Sequence, residues 1–444
     1  MKNLRWFYSG LWLLMVAPSL PSTARASPLE ADLDQRATQV ESKVIAWRRD
    51  IHQNPELGNR ETRTAKLVAD HLRSLGMEVQ TGIAHTGVVG VLKGDKPGPV
   101  VALRADMDAL PVTEEVEVPF ASKAKSTYNG QEVGVMHACG HDTHTAILMG
   151  VAEILTALKP QLPGSVKFIF QPAEEGPPQG EEGGAALMVK EGVLENPKPE
   201  AIFALHVLAG LESGKIWYRP GPILASGDTL HIKVNGRQTH GGLPWQGVDS
   251  IVVASQIVLG LQTIESRQVN VAKEPSVLSL GSIRGGVRSN IIPDSVELLG
   301  TLRTYDEEMR KDIHQRIKNT AEMIAKSAGA TAEVNIDQLY SVTVNHSGLT
   351  EQTLPTLTRV AGVDGVSVGP KVTASEDFSV YQQQIPGFFF FIGATAKGAD
   401  LTKAEPNHSP RFSVDESGLL LGVRALAHLT VVYMEQQQTK PPSQ

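Results

Sequence analysis

One short stretch of the sequence concentrates the residue types that bind transition metals. Residues 136–144 contain three histidines, an aspartate and the only cysteine of the chain. Cysteine and histidine are ligands that zinc and similar divalent metals prefer. In an extended backbone His137, Cys139 and His141 would point to one side, whereas in a helix His141 and His144 would share a face. The alternative interpretation is an inert thiol among surface histidines.

Further residues with metal-binding or acid–base chemistry follow three short apolar segments that are typical of buried strands. These are 100–103 with Asp106 and Asp108, 166–170 with Glu174 and Glu175, and 201–205 with His206. Each feature alone has an ordinary explanation. The paired glutamates could be solvated charge, the aspartates could be helix caps or supports of a ligand histidine, and His206 could be a core histidine. His408, in a polar loop, carries little weight alone.

The order of these segments predicts an α/β fold. Amphipathic helices are predicted at 32–52 and 61–75, and a helix at 143–158 lies between the first two strands. Strands that alternate with helices form a mostly parallel sheet, and open α/β sheets bind ligands beyond the carboxyl ends of their strands. We therefore expect a catalytic domain with a mostly parallel central sheet flanked by helices, and the polar residues at one edge of that sheet.

The pattern changes between residues 222 and 338, where the elements follow the order β-α-β-β-α-β. They are the strand 228–235, the helix 250–264, the strands 277–283 and 295–304, the helix 306–328 and the strand 331–339. This order predicts an inserted ferredoxin-like α+β domain, serving as a lid and for dimerisation. A buried strand at 388–392 follows it, so the catalytic domain comprises residues 27–221 and 339–438. Residues 439–444 form a polar tail.

The first 26 residues have the layout of a secretory signal peptide. Lys2 and Arg5 precede an apolar run at 11–17, and Ala24-Arg25-Ala26 matches a small-residue cleavage site. The run is shorter than the roughly 20 residues that span a bilayer, which disfavours a membrane anchor. We find no other segment that is long and apolar enough. We expect cleavage after Ala26, export to the periplasm rather than to the medium, and no membrane anchor afterwards.

Composition restricts the class of partner. Without Lys2, Arg5 and Arg25, the 41 basic residues fall to 38 against 48 acidic residues, a net charge of −10. An acidic protein without a basic cluster is a poor ligand for nucleic acid or anionic membranes. Exported proteins often carry disulfides, but one cysteine cannot form an internal bridge. Metal binding is the most economical explanation of Cys139.

Nine motifs follow one another through the chain. They are RDIH and PELG within 49–58, RADMDALP at 104–111, HACGHD at 137–142, QPAEE at 171–175, LHV at 205–207, HGG at 240–242, NIIPD at 290–294, SEDF at 375–378 and HSP at 408–410. In this order they resemble the amidohydrolase branch of the dinuclear-metal aminoacylase/carboxypeptidase family, which includes hippurate hydrolases and hydrolases of indole-acetyl amino acid conjugates. The agreement identifies the family specifically, but it gives little information about the substrate.

The resemblance implies a site with two divalent metal ions. The implied metal ligands are Cys139, His141, Glu175, His206 and His408. Glu174 would be the acid–base residue, and Asp106 and Asp108 would support the ligands. His240 and Asn290 of the inserted domain would bind the substrate or its oxyanion, and in this family that histidine typically reaches the site of the partner subunit.

Two residues depart from the family's pattern. Arg288 occupies a position that is usually small or neutral, and it would either contact a substrate carboxylate or be a surface charge. Asn407 stands where the family often has an apolar residue before the last ligand histidine, so His408 has less support than the other ligands.

These residues suit hydrolysis by a metal-activated water, with Glu174 as general acid–base. The implied substrates are N-acyl amino acids. A carboxypeptidase or dipeptidase acting on peptides is the alternative in the same chemistry, and a catalytically silent ligand- or metal-binding protein is the alternative of another class. Thiolate and imidazole favour zinc, whereas this branch is often associated with manganese, cobalt or nickel. Edge strands of the inserted sheet are available for pairing, so we expect a homodimer or a higher homo-oligomer.

Overall fold

The computed structural model describes residues 28–438, so the predicted signal peptide and the tail at 439–444 lie outside the described residues. The α-helices in this range are α1 (Pro28–Gln53), α2 (Thr62–Ser74), α3 (His141–Ala157), α4 (Gly184–Lys190), α5 (Ser250–Thr263), α6 (Glu307–Ser327), α7 (Ser347–Ala361), α8 (Phe378–Gln382) and α9 (Leu419–Gln438). The strands from the start of the chain to residue 218 are β1 (Glu78–Ile83), β2 (Gly87–Lys93), β3 (Lys96–Asp106), β4 (Lys125–Tyr128), β5 (Gln131–Gly134), β6 (Pro163–Gln171), β7 (Ala201–Glu212) and β8 (Ile216–Tyr218). The later strands are β9 (Gly221–Leu224), β10 (Gly227–Asn235), β11 (Thr239–His240), β12 (Ser276–Arg284), β13 (Ile291–Ile292), β14 (Ser295–Thr304), β15 (Thr331–Tyr340), β16 (Thr343–Asn345), β17 (Val366–Val368) and β18 (Gly387–Thr395).

An eight-stranded sheet forms the centre of the catalytic domain. Its strand order is β1-β2-β6-β3-β7-β18-β8-β17, and the four central strands β6, β3, β7 and β18 run parallel. Helices α1, α3 and α9 pack together over one face, and α4 and α8 cover part of the other. The predicted fold class, a mostly parallel sheet flanked by helices, is confirmed.

The structure corrects one expectation at the C-terminal helix. With the turn before it, α9 spans Glu416–Gln438 and is long and apolar enough to cross a membrane, the one such helix in the described part of the chain. We expected no such segment. However, 72% of its most apolar window is buried inside the protein, where it packs against α1, α3 and α7. Packing in the core therefore explains its apolar composition.

Strand β7 is longer than the sequence predicts. The apolar run indicates an end at Leu205, with His206 at the carboxyl end, but the strand continues to Glu212. Pairing with β3 stops at Ala204, whereas β18 continues alongside, with Phe391 opposite His206. The longer neighbour extends β7, and His206 lies within the strand where β3 no longer covers it.

The inserted domain consists of β10, α5, β12, β14, α6 and β15, the predicted order for a ferredoxin-like fold. Its antiparallel sheet has the strand order β12-β14-β10-β15. Both helices pack on one face of this sheet around a separate apolar core. The chain enters through β9 and leaves through β16, and these two strands pair with each other at the base of the domain.

Candidate active site

The polar residues predicted from the sequence meet beyond the carboxyl ends of β3 and β6, beside β7. The loop that carries Cys139 reaches this place because of Gly140, which precedes α3 and has a φ of +95°. A Cβ atom at Gly140 would lie 2.2 Å from Cγ2 of Val207. Only glycine combines this backbone conformation with so close an approach to β7.

The five implied metal ligands form two groups that share Cys139. Cys139, His141 and His206 make one group, and Cys139, Glu175 and His408 make the other; in each, one ligand atom per residue lies within 4.8 Å of the others. Sγ of Cys139 is 3.4 Å from Nε2 of His206, and Nε2 of His408 is 3.0 Å from Oε1 of Glu175. His408, which the sequence supports least, thus lies with the other four.

The two buried histidines present their Nε2 atoms to this cluster. Nδ1 of His141 contacts the backbone oxygen of Asp108 at 2.8 Å, and Nδ1 of His206 contacts that of Val207 at 2.7 Å. Because a carbonyl only accepts, each Nδ1 carries a proton. Nε2 of His141 is buried with no hydrogen-bond partner among the described residues. Histidines that bind metals typically have this arrangement, with the far nitrogen held by a protein oxygen.

The cluster has an excess of negative charge. Six carboxylates surround it: Asp106, Asp108, Glu174, Glu175, Glu376 and Asp377. Within residues 28–438, Arg104 is the one arginine or lysine at ion-pair distance from any of them. Burial, together with the charges of Glu376 and Glu175, raises the pKa of Glu174 well above its ordinary value. Divalent cations would offset this excess, so the residues present fit a metal centre.

The neighbouring carboxylates also change the pKa of His141. Although burial opposes it, the carboxylate of Asp106 raises the pKa of the His141 ring well above its usual range. Burial and Glu175 raise the pKa of the Cys139 thiol. The surroundings therefore favour a positive charge at Nε2 of His141, which a metal cation there would supply.

Arg104 organises the acidic residues behind Glu174. This completely buried guanidinium donates to Asp106 at 2.5 Å, to Glu376 at 2.9 Å and to Asp377 at 3.0 Å. No role for Arg104, Glu376 or Asp377 follows from the sequence motifs alone. The sequence does contain one indication of the role of Arg104, because this arginine follows directly after an apolar run that predicts a buried strand. A buried charge in that position needs oppositely charged or hydrogen-bonding partners.

Asp108 positions the two adjacent glutamates. Its Oδ1 accepts the backbone N–H of Glu174 and its Oδ2 accepts that of Glu175, both at 3.0 Å. The backbone oxygen of Glu174 in turn accepts a hydrogen bond of 3.0 Å from the hydroxyl of Tyr340, at the end of β15. The inserted domain therefore contacts the loop that carries Glu174, a contact that the sequence did not indicate.

Asp106 acts on the cluster through His144. Its Oδ1 is 2.5 Å from Nδ1 of His144, and Nε2 of His144 accepts the backbone N–H of Val207 at 2.9 Å. Asp106, His141 and His144 are close enough together to hold a metal, but both nitrogens of His144 are already used. His144 therefore links the end of β3 to β7.

Asn407 has a role that the sequence analysis missed. Its Nδ2 donates to the backbone oxygens of Cys139 at 3.1 Å and Val207 at 3.2 Å, and its Oδ1 accepts the backbone N–H of Ala209 at 3.0 Å. These bonds fix the loop of His408, whose own φ is +73°. The departure from an apolar residue thus adds polar contacts that hold His408 in place.

The pairing of β11 with β13 brings His240 and Asn290 together in the inserted domain. Both side chains are exposed, as is Arg288 on the same loop. Nδ1 of His240 accepts the backbone N–H of Gly242 at 2.9 Å. In the described part of the chain, neither His240 nor Asn290 forms a hydrogen bond or an ion pair with the cluster of Cys139, His141, Glu175, His206 and His408.

Comparisons with known proteins identify the family of this chain. The family described as Peptidase family M20/M25/M40 matches residues 102–431. The chain belongs to this family. Thermostable carboxypeptidase 2 of Saccharolobus solfataricus is 41% identical over 399 residues, which are 89% of this chain and 96% of that protein. The N-acyl-L-amino acid amidohydrolase of Geobacillus stearothermophilus is 39% identical over 315 residues, 71% of this chain and 81% of that protein.

Solved structures of M20 peptidases share the fold. A dinuclear metal-binding M20 peptidase from Bacillus subtilis superposes with a TM-score of 0.74 at 34% identity, covering 90% of this chain and 99% of that one. The predicted resemblance is confirmed, and this protein is a metal-dependent hydrolase that acts on amide bonds. The alternative of a catalytically silent binding protein is therefore set aside.

Proposed function

We propose that this M20 enzyme hydrolyses N-acyl amino acids, releasing a carboxylic acid and an amino acid. The observation that carries the proposal is the position of Glu174. One of its carboxylate oxygens is 3.8 Å from Nε2 of His141, while Asp108 and Tyr340 hold its backbone from two sides. Relatives named N-acyl-L-amino acid amidohydrolase and N-acetylcysteine deacetylase support this class of substrate.

The five clustered residues would hold two divalent ions. They are Cys139, His141, Glu175, His206 and His408. When bound, such ions acidify water and polarise a carbonyl oxygen. Thiolate and imidazole favour zinc, and the carboxylate also suits manganese, so we propose one of these two metals, with cobalt and nickel as the other candidates. Because Cys139 belongs to both groups, its thiolate would be a ligand available to either group.

Glu174 moves the proton. Its carboxylate accepts a proton from the attacking water and donates it to the nitrogen of the leaving amino acid, so the amide C–N bond breaks as a neutral amine forms. Asp108 keeps the carboxylate of Glu174 in place because it accepts the backbone N–H groups of Glu174 and Glu175. His240 and Asn290, supplied by a partner subunit, would stabilise the oxyanion, and Arg288 lies on the same loop, where a substrate carboxylate would find a cation.

A substrate panel tests the proposal. Purified protein would be assayed with N-acyl amino acids and with free dipeptides, each with and without a chelator, and its metal content measured. We expect chelator-sensitive hydrolysis of N-acyl amino acids that returns when metal is restored. A higher kcat/KM on peptides would favour the carboxypeptidase or dipeptidase alternative. The 41% identity to thermostable carboxypeptidase 2 supports testing that alternative. No chelator-sensitive hydrolysis of any substrate would contradict both.

The inserted domain would form a homodimer. The outward face of α5 is apolar, with Val252 52% and Leu259 70% exposed. Helix α5 packs against β12, an edge strand of the inserted sheet. A second copy would pair at this edge and cover the apolar face, and it would bring His240 and Asn290 to a cluster that they do not contact in their own subunit.

The dimer can be tested by changing one residue of the exposed face. Leu259→Glu places a charge in the proposed interface, so light scattering should show the mass falling from a dimer or higher assembly to a monomer of about 48 kDa or less. Glu153→Leu, on the catalytic domain, is the control and should leave the mass unchanged. A monomeric wild-type protein would contradict the proposal.

We place the mature enzyme in the periplasm. The support is the sequence alone: the basic residues, the short apolar run and the Ala24-Arg25-Ala26 site. Protein recovered from the periplasmic fraction of a Gram-negative host should begin at Ser27 by N-terminal sequencing. Protein that keeps Met1 and remains with the cytosol or the membrane would contradict this assignment.

A further inference from the structure

A cavity of about 160 Å³ lies directly beside the metal-ligand cluster. Asp108 and Glu175 form the side that faces the cluster. Ser126 and Tyr128 of β4, in the hairpin of β4 and β5, form another part of the wall, and Leu110 adds apolar surface. Any group that enters this cavity therefore lies next to the residues that would hold the metal.

The charges around the cavity favour an uncharged occupant. Both carboxylate oxygens of Asp108 already accept backbone N–H groups, and Glu175 is paired with His408. Arg60, the one cation in the lining, is bound by two nitrogens to the carboxylate of Glu181. The lining therefore offers a carboxylate no free cationic side chain to pair with, whereas an uncharged group needs none.

The size of the cavity limits its occupant. A cavity of about 150 Å³ is known to hold one benzene ring, so this one has room for a group of about six carbon atoms. The hairpin that lines it turns at Asn129 and Gly130, both with positive φ, as the tight turns of two-residue hairpins require. A longer chain would extend beyond the volume that these residues enclose.

We propose that this cavity is the acyl pocket of the enzyme and that it selects short or ring-sized uncharged acyl groups over long chains. The inference rests on the proposed hydrolysis of N-acyl amino acids. In such a substrate the acyl group is the uncharged half, while the amino acid half carries the carboxylate that the cavity disfavours.

Filling the cavity from the hairpin tests this assignment. Wild-type and Ser126→Phe enzymes would be assayed with N-acetyl, N-benzoyl and N-dodecanoyl derivatives of one amino acid. A second series would keep the benzoyl group and vary the amino acid. We expect Ser126→Phe to lower kcat/KM for the benzoyl substrate roughly 10- to 100-fold and that for the acetyl substrate by less than about threefold. The preference among amino acids should not change.

Two further variants complete the experiment. Lys125→Phe introduces the same ring at the neighbouring position, whose side chain does not line the cavity, and it should leave all rates near wild type. Tyr128→Ala opens the wall at a half-exposed residue and should raise the dodecanoyl-to-benzoyl ratio of kcat/KM roughly tenfold.

The outcomes separate this inference from the proposed function. Hydrolysis of N-acyl amino acids without a change of acyl preference in Ser126→Phe and Tyr128→Ala would overturn the acyl pocket alone. The same is true if the variants change the preference for the amino acid instead. If the wild-type enzyme hydrolysed no N-acyl amino acid, the proposed function would fail and the acyl pocket with it.

Discussion

The two domains differ in how far their buried carboxylates are paired with cationic side chains. Of the six carboxylates at the edge of the catalytic sheet, three pair with Arg104, and the other three have no arginine or lysine partner in the described chain. In the inserted domain the buried carboxylate of Asp228 receives both Arg310 at 2.6 Å and His314 at 3.0 Å, and Arg310 also pairs with the partly exposed Glu307 at 3.2 Å. The first cluster has unmatched negative charge and the second does not. A matched cluster holds elements together, whereas an unmatched one indicates a missing cation.

The pKa values of Glu174 and Asp228 shift in opposite directions. Burial raises the pKa of Glu174, and its acidic neighbours raise it further. Burial also opposes ionisation of Asp228, but hydrogen bonds from His314 and Arg310 reverse the effect and lower its pKa. Two buried carboxyl groups thus shift in opposite directions because of the charges around them.

The largest expected effect comes from Glu174→Gln. The amide keeps the shape of the side chain but cannot carry the proton, so kcat should fall by about 10²–10⁴. Metal content, measured by atomic emission, should stay at the wild-type level. His314→Gln, in the matched cluster of the inserted domain, is the control and should retain near-normal kcat. Near-full activity in Glu174→Gln would remove Glu174 from the acid–base role.

A pair of arginine variants compares the two clusters directly. Arg104→Met leaves Asp106, Glu376 and Asp377 without their cation, and Arg310→Met leaves Asp228 with only His314. Breaking a buried pair costs about 3–5 kcal/mol, so both variants should unfold at lower urea concentration. Only Arg104→Met should also lose activity, because its partners lie behind Glu174.

Metal should distinguish the two variants further. Added divalent cation should restore part of the stability of Arg104→Met, since it offsets the unmatched carboxylates, and should do nothing for Arg310→Met. Equal losses of activity in both variants, or equal responses to metal, would show that the two clusters do not differ in the way proposed.

The sequence predicted those residues of the catalytic edge whose position depends only on the order of the strands along the chain. Parallel strands end at a common edge, so the order of the strands alone places together the residues that follow β3 and β6, Asp108 and Glu174 among them. The role of Arg104 could not be predicted, because its partners Glu376 and Asp377 come from a distant part of the chain. The position of His206 within β7 likewise depends on its pairing with β18.

The inserted domain was predictable in a different way. The alternation of its strands and the periodicity of its helices indicated the β-α-β-β-α-β order, which needs no long-range information. Those patterns did not show which exposed apolar residues lie together, such as Val252 and Leu259. They also did not indicate that Tyr340, at the end of the last strand, contacts the loop of Glu174.

That contact gives the smallest effect, and it tests whether the two domains act independently. Tyr340→Phe removes one hydrogen bond to the backbone of Glu174, worth about 0.5–1.5 kcal/mol, so kcat should fall roughly two- to tenfold with KM and metal content nearly unchanged. Tyr433→Phe, on α9, should leave kcat as it is.

Because Tyr340 pairs with Gly227 where the chain enters and leaves the inserted sheet, a movement of that domain would shift the hydroxyl relative to Glu174. Equal kcat in both variants would mean that the inserted domain affects the catalytic loop only through substrate binding. A fall in kcat confined to Tyr340→Phe would mean that the orientation of one domain adjusts the acid–base group of the other.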